Sequence, residues 1–214
     1  MEKLYYTAKE VAEMLDVSVS HAYKVIREAN RELFSKNPVK KAGTIVKGKA
    51  DEMDFWTKEE YLKFIECVKD KPISYYAFQI LYWCGIREGE LLALTPADID
   101  FKNKKLHITK SYQYINGEDI ITDPKTEKSR RDVVIPDFLV EELRQFIGML
   151  YGYDSDDRIF QITKSYLHHE MSRGAKAAGV KRIRIHDLRH SHISLLIRLV
   201  FSAVAIGNRV GHES

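Results

Sequence analysis

Apolar residues recur along this chain at helical spacing in most places and at alternate positions in one stretch, and each change of period marks an element. Thr7-Ala8-Lys9-Glu10 has the spacing of a helix start in which hydroxyl and carboxylate each satisfy an exposed backbone donor. Val11, Met14 and Leu15 follow on one stripe, Asp16-Val17-Ser18 breaks it, and Ser18 is placed to cap a second helix with Ala22, Val25 and Ile26 inward. Two short helices joined by a tight turn predict a helix-turn-helix, although a plain helical hairpin has the same pattern. In the first reading Ser20, His21, Lys24 and Arg27 face outward as DNA-contacting candidates. The stretch 34–54 bears Pro38, Gly43 and Gly48 without a sustained period and reads as a linker.

Helical spacing then returns. Thr57-Lys58-Glu59-Glu60 is a second capping box and opens a helix to about Val68. Pro72 suits the first position of another helix, PISYYAFQILYWC, which is apolar almost all round and so belongs in a core. Gly85 is placed to stop it in the left-handed conformation, and 86–94 resumes the helical period. From Lys105 the period falls to two. Leu106, Ile108 and the run to Ile115 read as a strand, Asn116-Gly117 is a strong hairpin signal, and Ile120-Ile121 begins the return strand. A second turn over 124–128 leads into Val133-Val134-Ile135, so the pattern predicts a three-stranded antiparallel meander. Helices follow over 137–150, 163–178 (stopped by Gly179), 186–200 and 202–208. The fold class expected is mainly α with a small three-stranded antiparallel β-sheet. Its organisation is a small helical module over 1–32, a basic linker over 33–54 and a larger domain over 55–214.

Composition narrows the class. The 214 residues are 44% hydrophobic and 30% charged, as in an ordinary globular protein and unlike a fibrous or disordered one. A chain this long buries roughly 70% of its unfolded surface and needs no disulfide or metal staple. Cys67 and Cys84 lie in helix-like stretches and fit reduced thiols, which points to the cytoplasm. No run approaches the roughly 18 apolar residues of a membrane span, and MEKLYYTAKE lacks a signal-peptide core. Membrane and secreted classes are therefore excluded.

Charge is unevenly spread. Residues 171–212 carry eight Lys and Arg against Asp187 alone, and 33–50 carry Lys36, Lys40, Lys41, Lys47 and Lys49 with no acid. Residues 51–70 run the other way, seven acids against three lysines. Segregated positive charge suits a polyanion, because each neutralised phosphate releases counterions. A solvated basic face explains one such cluster as well; two favour nucleic acid.

Three features carry chemistry: Arg87 with Glu90 in GIREGELLAL, Lys125 at a hairpin tip in TDPKTEKSRRDVVIP, and HDLRH (186–190) with His212 beyond it in GHES. Guanidinium offers planar, bidentate donors to phosphate and does not lose its charge, so Arg87 and Arg189 read as paired anion clamps. His186 and Arg189, three apart, share a helix face and can converge on one phosphate. Singly, each has a blander reading: Arg87 as the ion-pair partner of Glu90, Lys125 as a solvated loop lysine. His186 and His190, four apart, also suit a metal pair. The acid of an HExxH zinc site is replaced by Asp187, however, and a basic surround disfavours a cation, so no metal is expected.

Taken in this order, GIREGELLAL, PKTEKSRR and HDLRHSHISLL with RVGHES resemble the tyrosine recombinases, or phage integrase family, especially the integrases of conjugative transposons, over roughly 50–214. The resemblance implies a tyrosine-recombinase catalytic domain in a bacterial or phage-encoded mobile element. It implies site-specific breaking and rejoining of double-stranded DNA, at attachment or recombination sites, through a phosphotyrosine intermediate and with no metal or nucleotide cofactor. Arg87 and Arg189 would then hold the non-bridging oxygens of the scissile phosphate, and Lys125 would protonate the departing 5′-oxygen. His186 would be the acid–base partner of the nucleophile, and His212 would hydrogen-bond a phosphate oxygen. Glu90 would orient the site from behind, His190 would support the helix face, and Lys128, Arg130 and Arg131 on the hairpin would contact DNA. YYTAKEVAEMLDVSVSHAYKVI is similar to excisionase-type helix-turn-helix starts.

The chain departs from that pattern in two places. In the family a tyrosine follows the GH box shortly, whereas the last tyrosine here is Tyr166. The expectation is a truncated recombinase that binds DNA and does not cleave it alone, with full-length recombinase protomers as further partners. The family also has a larger helical core-binding domain ahead of the catalytic one, the two forming a clamp around the duplex. The competing class is a non-catalytic helix-turn-helix regulator of a mobile element. A metal-dependent nuclease, a third class, finds no carboxylate cluster around HDLRH.

Overall fold

The computed structural model describes residues 54–123 and 129–211. The expected helix pair and linker, with Ser20, His21, Lys24 and Arg27, lie outside the described residues, as do Lys125, Lys128 and His212.

The capping box at Thr57 forms as its spacing requires. The Thr57 hydroxyl accepts the Glu60 amide at 3.2 Å, and the Glu60 carboxylate accepts the Thr57 amide at 2.8 Å; these contacts start α1 (Lys58–Glu66). Next, α2 (Pro72–Cys84) begins on its proline and ends at Gly85 with φ 65°. Its apolar circumference is buried, from Ala77 and Phe78 to Tyr82 and Cys84. Gln79, polar among them, accepts from the Tyr61 hydroxyl at 2.6 Å and donates to the Tyr75 hydroxyl at 2.8 Å. After it come α3 (Glu88–Ala93) and a 3₁₀ turn, Pro96–Asp98.

Five strands follow: β1 (Ile99–Asp100), β2 (Lys105–Ile108), β3 (Ser111–Ile115), β4 (Glu118–Thr122) and β5 (Arg131–Val134). A three-stranded antiparallel sheet forms in the order β1-β2-β5, with Leu106 opposite Val133, while β3 and β4 pair separately with Tyr112 opposite Ile121. The single meander expected from the sequence is thus corrected to two sheets. The run 105–115 is broken at Lys110, whose ammonium is drawn to Asp98 at 2.9 Å and to the Thr95 hydroxyl at 3.1 Å. Leu106, Ile108 and Val133 can then face the core together, leaving Tyr114 and Ile121 of the β3–β4 hairpin exposed. Asn116 (φ 55°) and Gly117 (φ 90°) supply the two left-handed residues of that turn.

The remaining helices are α4 (Asp137–Gly148), α5 (Lys164–Ala178), α6 (Asp187–Arg198) and α7 (Ala203–Val210). Thr163 and Ser202 accept the Tyr166 and Ala205 amides at 3.1 and 3.2 Å and so cap α5 and α7. In the core, α1 packs on α5, α2 on α6, and α7 on β5. The first contact is close: a Cβ at Gly174 of α5 would lie 2.5 Å from Phe64 and 2.7 Å from Val68. Trp56, fully buried, donates its indole N–H to the Lys181 carbonyl at 2.8 Å and its amide to the Ser191 hydroxyl at 2.9 Å, holding the segment before α1 against α6. Among the described residues no helix is long and apolar enough to cross a membrane.

Candidate functional site

Three separate parts of the chain meet at one end of α2. Gly85 turns the chain there, and no side chain fits: a Cβ would sit 2.3 Å from the imidazole of His192 on α6. Arg87 follows, and Glu90 caps α3 by accepting the Arg87 amide at 2.8 Å. The other carboxylate oxygen of Glu90 accepts from the Arg87 guanidinium at 2.8 Å. The Arg87 side chain nevertheless stays 40% exposed, so part of its donor set faces solvent.

From β5, Arg131 reaches the same carboxylate. Its Nη1 and Nη2 donate to the two Glu90 oxygens at 3.0 and 2.8 Å, a bidentate pair with both side chains almost wholly buried. Its Nε donates to the Arg209 carbonyl at 3.0 Å. Arg131, expected from the sequence to contact DNA, directs these donors inside the protein. Its neighbour Arg130 remains exposed and pairs with Asp123 at 3.0 Å. Glu90 is thereby held below the ordinary carboxylate range: burial alone would raise it, but the hydrogen bonds and charge of Arg131, then those of Arg87, outweigh that cost.

Arg189, on α6, is 2% exposed. Its guanidinium donates to the Gly85 carbonyl at 2.8 Å and to the Val210 carbonyl. Burial, then the like charges of Arg87 and Arg131, pushes its pKa down, with Glu90 opposing; a guanidinium nonetheless stays charged in proteins. The arginines expected to act together are therefore neighbours, with Arg87 at the surface and Arg189 behind.

His186 and His190 lie at the start of α6 with ring centroids 5.1 Å apart, nearly perpendicular. Both are pulled below the ordinary histidine range. Desolvation dominates in each case; for His186 the charges of His190, Arg189 and Arg87 lower it further, with Asp187 opposing. At neutral pH they are neutral imidazoles beside a cluster of guanidiniums, able to take up or pass on a proton. Asp187 between them is committed elsewhere: its carboxylate accepts from the Arg184 amide at 2.9 Å and from its guanidinium at 2.9–3.2 Å. Among the described residues no group of three or more His, Cys, Asp or Glu side chains converges as metal ligands.

Two members of the assembly escaped the sequence reading. Arg209, counted there with the basic surface, donates to His192 at 3.0 Å and to the Trp83 and Val134 carbonyls at 3.0 and 2.9 Å. Burial, then Arg209, pushes His192 down to about 3, so it accepts that bond as a neutral ring. No local signal in the sequence separates these two from surface residues.

A profile described as the phage integrase family matches residues 54–214. The ICEBs1 integrase of Bacillus subtilis (strain 168) is 32% identical over 178 residues, covering 76% of this chain and 48% of that protein. The integrase of Mycobacterium phage L5 is 26% identical over 213 residues, covering 91% and 55%. The chain thus spans about half the length of the curated relatives it matches. Among solved structures, the Tn1549 transposon integrase in complex with circular intermediate DNA aligns with a TM-score of 0.71 at 19% identity, over 97% of this chain and 77% of that one. The XerH recombinase bound to its difH substrate aligns at 0.57 and 24% identity, over 75% and 47%. At these identities the structural likeness shows the shared fold.

Proposed function

Starting from the fact that the chain belongs to the phage integrase family of tyrosine recombinases, we propose that it binds double-stranded DNA and grips one backbone phosphodiester for site-specific recombination of a mobile element. The observation that supports this most is the cluster of three guanidiniums, with Arg87 and Arg131 bonded to the one carboxylate of Glu90 and Arg189 close enough to feel their charges. The excess positive charge is the complement of a phosphate, and it lies beside two neutral imidazoles. Arg87 meets the non-bridging oxygens from the exposed side and Arg189 adds its charge from behind. Fixed donors of this kind stabilise the charge that builds up in a pentacoordinate transition state without reorganising.

In this reading His186 exchanges a proton with the nucleophile, His190 supports it, and Glu90 fixes Arg87. Lys125 protonates the leaving oxygen, since a lysine is a charged proton donor at neutral pH. His212 bonds a phosphate oxygen, and Lys128 and Arg130 contact the duplex flanking the site. Full-length recombinase protomers are proposed as further partners, and Tyr166, hydrogen-bonded to Ser74 of α2 at 2.9 Å, is not assigned the attack. A module at 1–32 adds duplex contacts through Ser20, His21, Lys24 and Arg27.

Duplex binding by the full chain, followed by fluorescence anisotropy across a salt series, tests the reading. The affinity is expected to fall linearly with salt on logarithmic axes. Arg87→Ala is expected to flatten the slope by about one phosphate contact, roughly 0.9, with a modest loss of affinity. Failure of the wild-type chain to bind any duplex contradicts it. If Lys24→Ala with Arg27→Ala abolishes binding while Arg87→Ala leaves the slope untouched, the regulator reading takes its place.

A further inference from the structure

We infer that Arg131 is a positioning residue, tying Glu90 and the last turn of α7 into one frame that sets how Arg87 and Arg189 present themselves to an anion; this rests on the phosphate-binding reading above.

The donor and acceptor count comes first. Arg131 uses four of its five N–H groups, two on Glu90, one on the Ser129 carbonyl at 3.2 Å and one on the Arg209 carbonyl at 3.0 Å. Glu90 in turn accepts four bonds, two from Arg131 and two from Arg87, which fills the capacity of a carboxylate. Neither group can shift without opening a bond to the other, and any tilt of Glu90 is passed directly to the guanidinium of Arg87.

The second observation comes from α7. A helix leaves its last carbonyls without partners and carries partial negative charge at that end. Here three consecutive carbonyls each accept from a different arginine: Arg209 from Arg131 at 3.0 Å, Val210 from Arg189, and Gly211 from Arg87 at 3.3 Å. The aliphatic stem of Arg131 lies against Gly211, where an added Cβ would come within 3.1 Å of it and where φ is 65°. So the α7 terminus is seated on the same three guanidiniums that make up the cluster. Of these, Arg131 alone also holds both oxygens of the carboxylate behind them. A lysine at 131 keeps the charge but has a single nitrogen, which cannot span Glu90 and the Arg209 carbonyl together.

The test uses the full chain without DNA, as wild type, Arg131→Lys and Arg131→Met, with thermal melting to establish folding. Three signals are followed by NMR: the titration midpoint of the Glu90 carboxyl carbon, the side-chain N–H resonances of Arg87, and amide exchange in α7. Arg131→Met is expected to raise the Glu90 midpoint, Arg131→Lys to raise it less, and both to shift Arg87 and speed α7 exchange at least tenfold. If the Glu90 midpoint, Arg87 and α7 all stay at wild-type values in folded variants, the inference is overturned. Should a variant not fold, the wild-type titration decides. Arg87 and the α7 amides must then change in step with Glu90 protonation, with Arg87, Arg131 and Arg189 the charges facing it; Glu90 titrating while both stay still overturns the inference. Wild-type duplex binding, measured separately, shows whether it is instead the phosphate reading that fails.

Discussion

A single carboxylate decides the arrangement of the site. Glu90 is 5% exposed and acceptor-only, so every group around it must donate. Glu90→Gln keeps the shape but turns one oxygen into an amide that points its own hydrogens at arginine donors. Breaking one partner of a buried pair costs about 3–5 kcal/mol, and a fall in urea midpoint of corresponding size is expected. The histidines give a pH dependence of definite sign. His168, His186, His190 and His192 are all lowered in the folded chain, chiefly by burial. Between their unfolded value near 6.5 and their folded values, the unfolded state binds more protons. Their contribution to stability is therefore complete above about pH 6.5 and is lost as the pH falls. Urea unfolding at pH 7.5 and 5.5 is expected to show the lower midpoint at pH 5.5, and His192→Leu is expected to reduce the difference; a higher midpoint in acid would contradict the assignment. At this scale the sequence was informative about residues whose spacing is local. Arg87 and Glu90, three apart in sequence, form an ion pair at 2.8 Å. The places of Arg131, Arg209 and His192 were not legible, because a buried arginine is written in sequence like an exposed one. Its partners lie far along the chain, as Glu90 does from Arg131, 41 residues away.

At the scale of elements, helix starts and stops were legible because capping boxes and terminal glycines act within a few residues. Thr57, Thr163, Gly85 and Gly179 each act where their chemistry predicts. Strand partnership was not legible. Alternation shows that a segment is extended but not which strand lies beside it, and β5 chose β2 over the nearer β4 because Leu106, Ile108 and Val133 can be buried together. Packing of α1 on α5 gives a prediction of its own. Gly174→Ala places a methyl into Phe64 and Val68, and overpacking of this kind costs about 1–3 kcal/mol. A domain of this size loses about 2–4 °C of melting temperature per kcal/mol, so calorimetry is expected to show a drop of several degrees. An unchanged melting temperature would mean that α1 and α5 are less tightly apposed.

For the whole molecule, the small net charge of +3 conceals a division of labour. Among the described residues, acids of 54–70 largely serve caps and surface pairs, as Glu60 does at Thr57 and Asp70 at Arg173. Arg189 and Arg209 hold the site and α7 from inside, while Lys176, Arg182 and Arg184 lie at the surface, Arg184 paired with Asp187. The central claim is that Arg87, backed by the buried charge of Arg189, meets one phosphate of a duplex. Side-chain N–H spectra of the full chain titrated with duplex DNA test it most directly. Both arginine signals are predicted to shift in parallel and to saturate at the concentration where binding saturates. Duplex bound to saturation with both signals unmoved would contradict the account.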